Sequence, residues 1–224
     1  MINLLPRWQK RLLVVLAGVA VLGLLGFSFV VGRVLAGPDY PSSTSADAGF
    51  ARDMQIHHAQ AVEMSLMVRD RTENEEVRAI AYDIVLTQQQ QIGQMYGWLR
   101  EWNLPQSSGG QHMAWMSAHP TGHNGHDKDY GAGTRTAKDL EVMSEGLMPG
   151  MATSAQLAAL SNAEGVDADR VYLTLMIAHH VAGADMAEAA ADLAETGHVR
   201  MLAAKMAEGQ QAEITALQEL LGRI

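Results

Sequence analysis

The chain has no cysteine among its 224 residues, only 5% aromatic residues and six prolines. Without cysteine there can be no disulfide, iron–sulfur cluster, thiolate metal site or lipid-bearing N-terminal cysteine, so any soft metal ligand must be a methionine thioether. No run of alternating apolar and polar residues marks a strand. No phosphate-binding glycine loop is present, and no serine or cysteine nucleophile stands beside a histidine in a recognisable motif, which leaves hydrolase chemistry little support. Acidic residues are missing before Asp39. The length suits one domain of ordinary size.

What is present divides the chain at its N-terminus. Arg7, Lys10 and Arg11 precede an uncharged apolar run of 21 residues, Leu12 to Gly32, closed by Arg33. At about 1.5 Å per residue it would cross a hydrocarbon core of about 30 Å. It is longer than a secretory h-region, so an uncleaved single-pass signal anchor is expected in the cell membrane, N-terminus cytoplasmic and residues 37–224 outside. Val34-Leu35-Ala36 before Gly37 also fits a signal peptidase, and cleavage after Ala36 would release an exported form. The expected organisation is a basic end plus anchor over 1–36, a linker over 37–46 and one helical domain over 47–224. Four of the 16 basic residues lie in the anchor region, so the exported part carries 12 basic against 25 acidic side chains, a formal charge of -13. Such a surface repels phosphate backbones, so no nucleic-acid partner is expected, and it concentrates cations; solubility accounts for the same charge.

The chain is rich in methionine (14) and histidine (9). D-M-Q-I-H-H-A-Q-A-V-E-M from Asp53 and L-M-I-A-H-H-V-A-G-A-D-M from Leu175 share one register, an offset of 122 residues. The same offset carries Asp47 onto Asp169, Phe50 onto Tyr172, Asp70 onto Asp192, Arg78 onto Arg200, Gln88-Gln89 onto Gln210-Gln211 and Leu99 onto Leu221, without a gap. Residues 47–102 and 169–224 therefore read as two copies of one helical hairpin. In the first copy Asp47 is the expected cap, the helix breaks at 70–76, and a second helix runs from about Glu75 to Trp102, ahead of Pro105. In the second, Asp167 or Asp169 caps, Gly197 supplies the break, and the last helix reaches about Leu221. Two amphipathic hairpins bury their stripes most economically against each other, so the expected fold is all-α, a four-helix bundle.

On such helices Phe50, Met54, His57, Ala61 and Met64 share one stripe, as do Tyr172, Met176, His179, Gly183 and Met186, with His58 and His180 on the flanks. Ala61 and Gly183 should leave room beside the imidazoles. Met54 lies one turn before His57 and His58, so a thioether and an imidazole can converge on one ion. Met64, about 10.5 Å further along, needs a second ion or a ligand from another helix. A twofold arrangement could gather His57, His179, Met54 and Met176 into one mixed site. Imidazole with thioether selects Cu(I), with Ag(I) its mimic, and zinc through histidine alone stays open. Against this, a histidine or methionine on an apolar stripe is commonly plain core; its recurrence in both copies favours the ligand reading.

Residues 103–168 connect the copies. The glycine-rich stretch 103–134 carries His112, Met113, Met116, His119, His123 and His126, a candidate scavenging segment for soft ions or an ordinary linker. Two short helices are expected near Ala137–Glu145 and Ser154–Asn162, flanking Met148-Pro149-Gly150-Met151, whose methionines are secondary candidates.

The paired M-x-x-H-H elements at Met54–His58 and Met176–His180, the M-P-G-M at 148–151, D-R-V-Y-L-T-L-M-I-A-H-H at 169–180 and Q-Q-x-E-I at 210–214 resemble domain-of-unknown-function family 305 over roughly residues 45–222. The resemblance implies a ferritin-like bundle, export or membrane anchoring and, for some members, copper handling, with no agreed enzymatic activity. It puts the family's histidine pairs at His57, His58, His179 and His180. The first copy departs from the pattern, with Gln91 where the second has Glu213.

The leading functional expectation is an extracytoplasmic, membrane-anchored copper-binding protein for buffering, tolerance or delivery. Two alternatives stand beside it: a metal-free structural or interaction module at the membrane, and a ferritin-like di-metal enzyme. The enzyme would need Glu-x-x-His pairs, yet Glu195 to His198 spans the expected break at Gly197, and Glu63 and Asp185 sit on nearly the opposite face from the inward histidines.

Overall fold

The computed structural model describes residues 6–37, 39–117 and 146–224, and among them it is all-helical. Two units are distinct, residues 1–40 and 41–224. The first consists of α1 (Arg7–Ala36), of which Arg7–Arg33 is long and apolar enough to cross a membrane. A signal sequence has the same composition.

The second unit contains four long helices, α2 (Ala46–Arg69), α3 (Glu75–Glu101), α6 (Gly165–Leu193) and α7 (Gly197–Leu221), with short helices α4 (Ala114–Ser117) and α5 (Ser154–Asn162) between the hairpins. α2 pairs with α3 and α6 with α7, and the hairpins meet chiefly along α2 and α6. Local chemistry sets the ends. Asn74 accepts the backbone N–H groups of Glu76 and Val77 at 2.9 and 3.4 Å to open α3. Thr153 and Gln156 form a reciprocal capping box that opens α5. The region expected to form a helix at Ala137–Glu145 lies outside the described residues.

The expected caps need correction. Ser45, whose hydroxyl accepts from Ala48 N, begins α2. Asp47 is buried and reaches across to the other hairpin, where its carboxylate accepts Glu195 N at 3.0 Å and Thr196 N at 2.9 Å. It thus satisfies the turn between α6 and α7. Neither Asp167 nor Asp169 caps α6, which starts earlier at Gly165; Asp169 is buried with Oδ1 unpartnered. Gly197 is the first residue of α7, and Ala194 to Thr196 make the break.

Two apolar clusters form the core. One holds Phe50, Met54, Met95, Leu99, Met186, Val199 and Met206. The other holds Met64, Val68, Ile84, Tyr172, Leu173, Met176 and Leu217. The start of α2 thus shares a cluster with the end of α6, and the reverse holds at the other end, so the two helices run antiparallel. Each buried methionine or leucine contributes about 1.5–3 kcal/mol of transfer free energy.

Candidate metal centre

Between the two clusters lies a layer of histidine. His57 on α2 and His179 on α6 are buried, their ring centroids 3.7 Å apart at a tilt of 32°. The stripe positions expected to face inward do meet across the seam. His58 and His180 are equally buried, contrary to a place at the edge of the stripe. Each turns toward its own hairpin partner: His58 Nε2 meets Gln91 Oε1 at 2.7 Å, and His180 Nε2 meets Glu213 Oε2 at 2.8 Å. α2 and α6 each have two neighbours, so a flank position is covered as thoroughly as the central stripe.

For His57 and His179 the partner is a backbone carbonyl, which can only accept and so requires N–H opposite it. His57 Nε2 donates to the Pro149 carbonyl at 3.4 Å, and His179 Nε2 donates to the His57 carbonyl at 2.9 Å. His58 Nε2 faces Gln91 Oε1 and, with the amide in that orientation, donates to it. In all three the other nitrogen, Nδ1, is buried without a partner. His180 differs, with Nδ1 on the Met176 carbonyl at 3.0 Å and Nε2 on Glu213 and, at 3.5 Å, Gln88 Nε2.

Burial keeps His57, His58 and His179 neutral. Desolvation pushes His57 and His58 down to about 3; for His58 the neighbouring His57 adds to the effect, and for both so does His180. His179 is also held well below its usual value, by burial first and then by the other three histidines. A neutral imidazole whose Nε2–H is fixed by an oxygen and whose Nδ1 lone pair is open has the form that metal sites use. The donor set therefore fits a soft or borderline ion.

The thioethers are distributed differently from the expected single mixed site. Met54 and Met176 fall in opposite clusters; Met54 shares its cluster with Met186, and Met64 shares the other with Met176. The antiparallel crossing causes this, because a residue one turn before the histidine lies on opposite sides of the layer in the two helices. Gly183 leaves its room to Gln210, whose Oε1 would stand 2.3 Å from a Cβ placed there.

Part of the connecting segment is pinned down. The Asp53 carboxylate accepts His112 Nδ1 at 2.7 Å, Met113 N at 2.8 Å and Trp115 Nε1 at 2.9 Å. Trp115 lies so close to Gly49 that a Cβ there would be 2.4 Å from its ring. Met116, Met148 and Met151 are buried in the Met54 cluster, with Met113 packed against it. For Met113 and Met116 this replaces a free scavenging role with packing. His119, His123 and His126 lie outside the described residues.

Among the described residues no three His, Cys, Asp or Glu side chains converge as a metal cage. Glu63 and Asp185 are exposed, and His198 lies beside Trp98 and Trp102, at ring distances of 4.9 and 6.1 Å. Sequence reasoning passed over Gln91 and Glu213 as partners of the histidines. The signal was there, since each lies 33 residues beyond its histidine.

Comparison with known proteins adds a second line of observation. The model of a family described as a domain of unknown function, DUF305, matches residues 47–221. The crystal structure of a DUF305 protein from Streptomyces coelicolor, named as secreted, is 42% identical, covers 81% of this chain and 95% of its own, and gives a TM-score of 0.66. A DUF305 fragment from Deinococcus radiodurans is 27% identical, covers 84% and 100%, and gives 0.61. CopM in its Cu(II)-bound form is 21% identical, covers 80% and 97%, and gives 0.55, a likeness of fold. No curated protein matches the chain.

Proposed function

The chain belongs to the DUF305 family, and from that premise we propose that it is an extracytoplasmic, membrane-anchored protein that binds Cu(I) or Cu(II), for buffering, tolerance or delivery. The observation that carries this reading is the set of three buried, neutral histidines, each with its Nδ1 lone pair unpartnered, set between two methionine-bearing clusters. A buried polar atom left open costs stability, commonly about 1–3 kcal/mol, and a bound ion would recover it. His57 and His179, paired across the α2–α6 seam, and His58 beside them would each offer Nδ1 to an ion completed by thioethers, Met54 and Met186 on one side of the layer or Met64 and Met176 on the other. His180, with both nitrogens engaged, would act through Glu213 to orient the layer.

A protein of similar fold supports the reading: CopM has been solved with Cu(II), with Cu(I) and with silver. Silver therefore serves as a mimic here, and zinc would use the imidazoles alone. α1 would tether the domain, its basic N-terminal end in the cytoplasm. Residues 47–102 and 169–224 would be a duplicated hairpin within one domain, 47–224, joined by 103–168.

Titration of the full chain in detergent with Cu(I), Cu(II), Ag(I) and Zn(II) tests the reading against a His57→Ala/His179→Ala double variant. Wild type should bind Cu(I) and Ag(I) at least about tenfold more tightly than the variant. Equal binding by the two proteins would remove the histidine layer as the site.

A further inference from the structure

Before α5 the chain runs Met148-Pro149-Gly150-Met151-Ala152-Thr153 over the α2–α6 seam at the level of the histidine pair. Three features seat it there. Gln60 on α2 holds Ala152 from both sides, donating Nε2 to its carbonyl at 2.9 Å and accepting its N–H at 2.6 Å. Gly150 has φ 76° and lies so near α6 that a Cβ would stand 2.5 Å from Ala182 Cβ and 2.7 Å from the Ala178 carbonyl, with His179 Cα at 3.3 Å. Met148 and Met151 are buried on either side of it. The Pro149 carbonyl is thereby presented to His57 Nε2.

We propose that this strap, pinned by Gln60 and Gly150, is the positioning element of His57: it holds the ring proton on Nε2 and so leaves Nδ1 as the open lone pair. The opposite tautomer would bury an Nδ1–H with no acceptor and set the Nε2 lone pair against a carbonyl oxygen. The other two open histidines take their tautomers from the long helices, His179 from the His57 carbonyl and His58 from Gln91. His57 alone depends on an irregular segment. Its bond to Pro149 is long at 3.4 Å, so a small displacement of the strap removes it. The effect on ion binding rests on the copper reading above; the tautomer itself does not.

The test is ¹⁵N NMR of the histidine rings in the metal-free full chain, in detergent, for wild type, Gln60→Ala and Gly150→Ala, with Cu(I) affinity measured on each. Wild type should show His57 protonated at Nε2. Gln60→Ala should give mixed His57 tautomers while His58 and His179 keep theirs, which also certifies the fold, and Cu(I) affinity should fall about 10–100-fold. Gly150→Ala should do the same or more. Wild-type His57 protonated at Nδ1 overturns the proposal even if both variants unfold. So does a pure Nε2 tautomer with unchanged affinity in either variant, and in that case copper binding still stands. Tautomer mixing in Gln60→Ala beside a wild type that binds no Cu(I) upholds the strap and defeats the copper reading.

Discussion

The two ends of the bundle are built from the same kind of helix but from different material. Among the described residues the cluster around Met54 and Met186 buries seven methionines, the others being Met95, Met116, Met148, Met151 and Met206. Among the described residues the cluster around Met64 and Met176 buries only those two, beside Tyr172, Ile84, Leu160, Leu173 and Leu217. Positions 122 apart show the contrast directly: Met95 answers to Leu217 and Met206 to Ile84, with methionine at the same end each time. The connection adds Met116, Met148 and Met151 there, and Ala152 and Leu160 to the other end. Methionine is flexible and polarizable, so it suits a surface on which an irregular segment docks, and it also concentrates soft donors. Packing and soft-metal binding make separate demands on that end.

The largest expected effect concerns the layer that the two ends share. His57, His58 and His179 have folded-state pKa values below the unfolded value of about 6.5, so the unfolded chain binds more protons and stability rises with pH across the window. Acidification should therefore cost about 2 kcal/mol for each of His57 and His58 between pH 6.5 and 5, continuing toward about 3, with a further loss of the same sign from His179. Urea unfolding at pH 7 and pH 5 checks this. Flat stability would mean that the rings are already charged or exposed.

A smaller effect should separate the ends by their aspartates. Asp47→Ala removes two charge-assisted bonds to the turn at Glu195 and Thr196 and should cost about 2–3 kcal/mol. Asp169→Ala deletes a carboxylate with an unpartnered oxygen and should cost about 1 kcal/mol or less. Equal losses in thermal unfolding would dissolve this difference between the ends.

The smallest change in stability belongs to the thioethers. Met54→Leu with Met186→Leu conserves volume and should cost under about 1.5 kcal/mol per site. If the methionine-rich end is where soft ions settle, this pair should weaken Cu(I) binding about tenfold, and more than Met64→Leu with Met176→Leu. Indistinguishable pairs in a competition titration would make the richness a packing device.

Helical periodicity made the long elements legible. The expected span of α3 and the end of α7 agree with the structure within a residue, and Ser154–Asn162 is reproduced as α5. The caps were misread because a cap was sought in the same helix, whereas Asp47 serves a turn 148 residues away. His58 and His180 were placed at an edge because a helical wheel drawn against one neighbour ignores the second, α3 or α7. Asp53 gave no local hint of its role, since its partners His112, Met113 and Trp115 lie about sixty residues further along the chain.

The sequence by itself determined where the helices lie, which histidines and methionines share a stripe, and that the N-terminal run is long and apolar enough for a membrane. These follow from a period of about 3.6 residues and from composition, both local properties. Only the tertiary structure decided that Met54 joins Met186 and not Met176, that the flanking histidines are buried, and that Nδ1 is open in His57, His58 and His179 but not in His180. Those outcomes depend on how α2 crosses α6 and on where a single carbonyl or amide oxygen comes to rest, and no spacing along one helix contains that information.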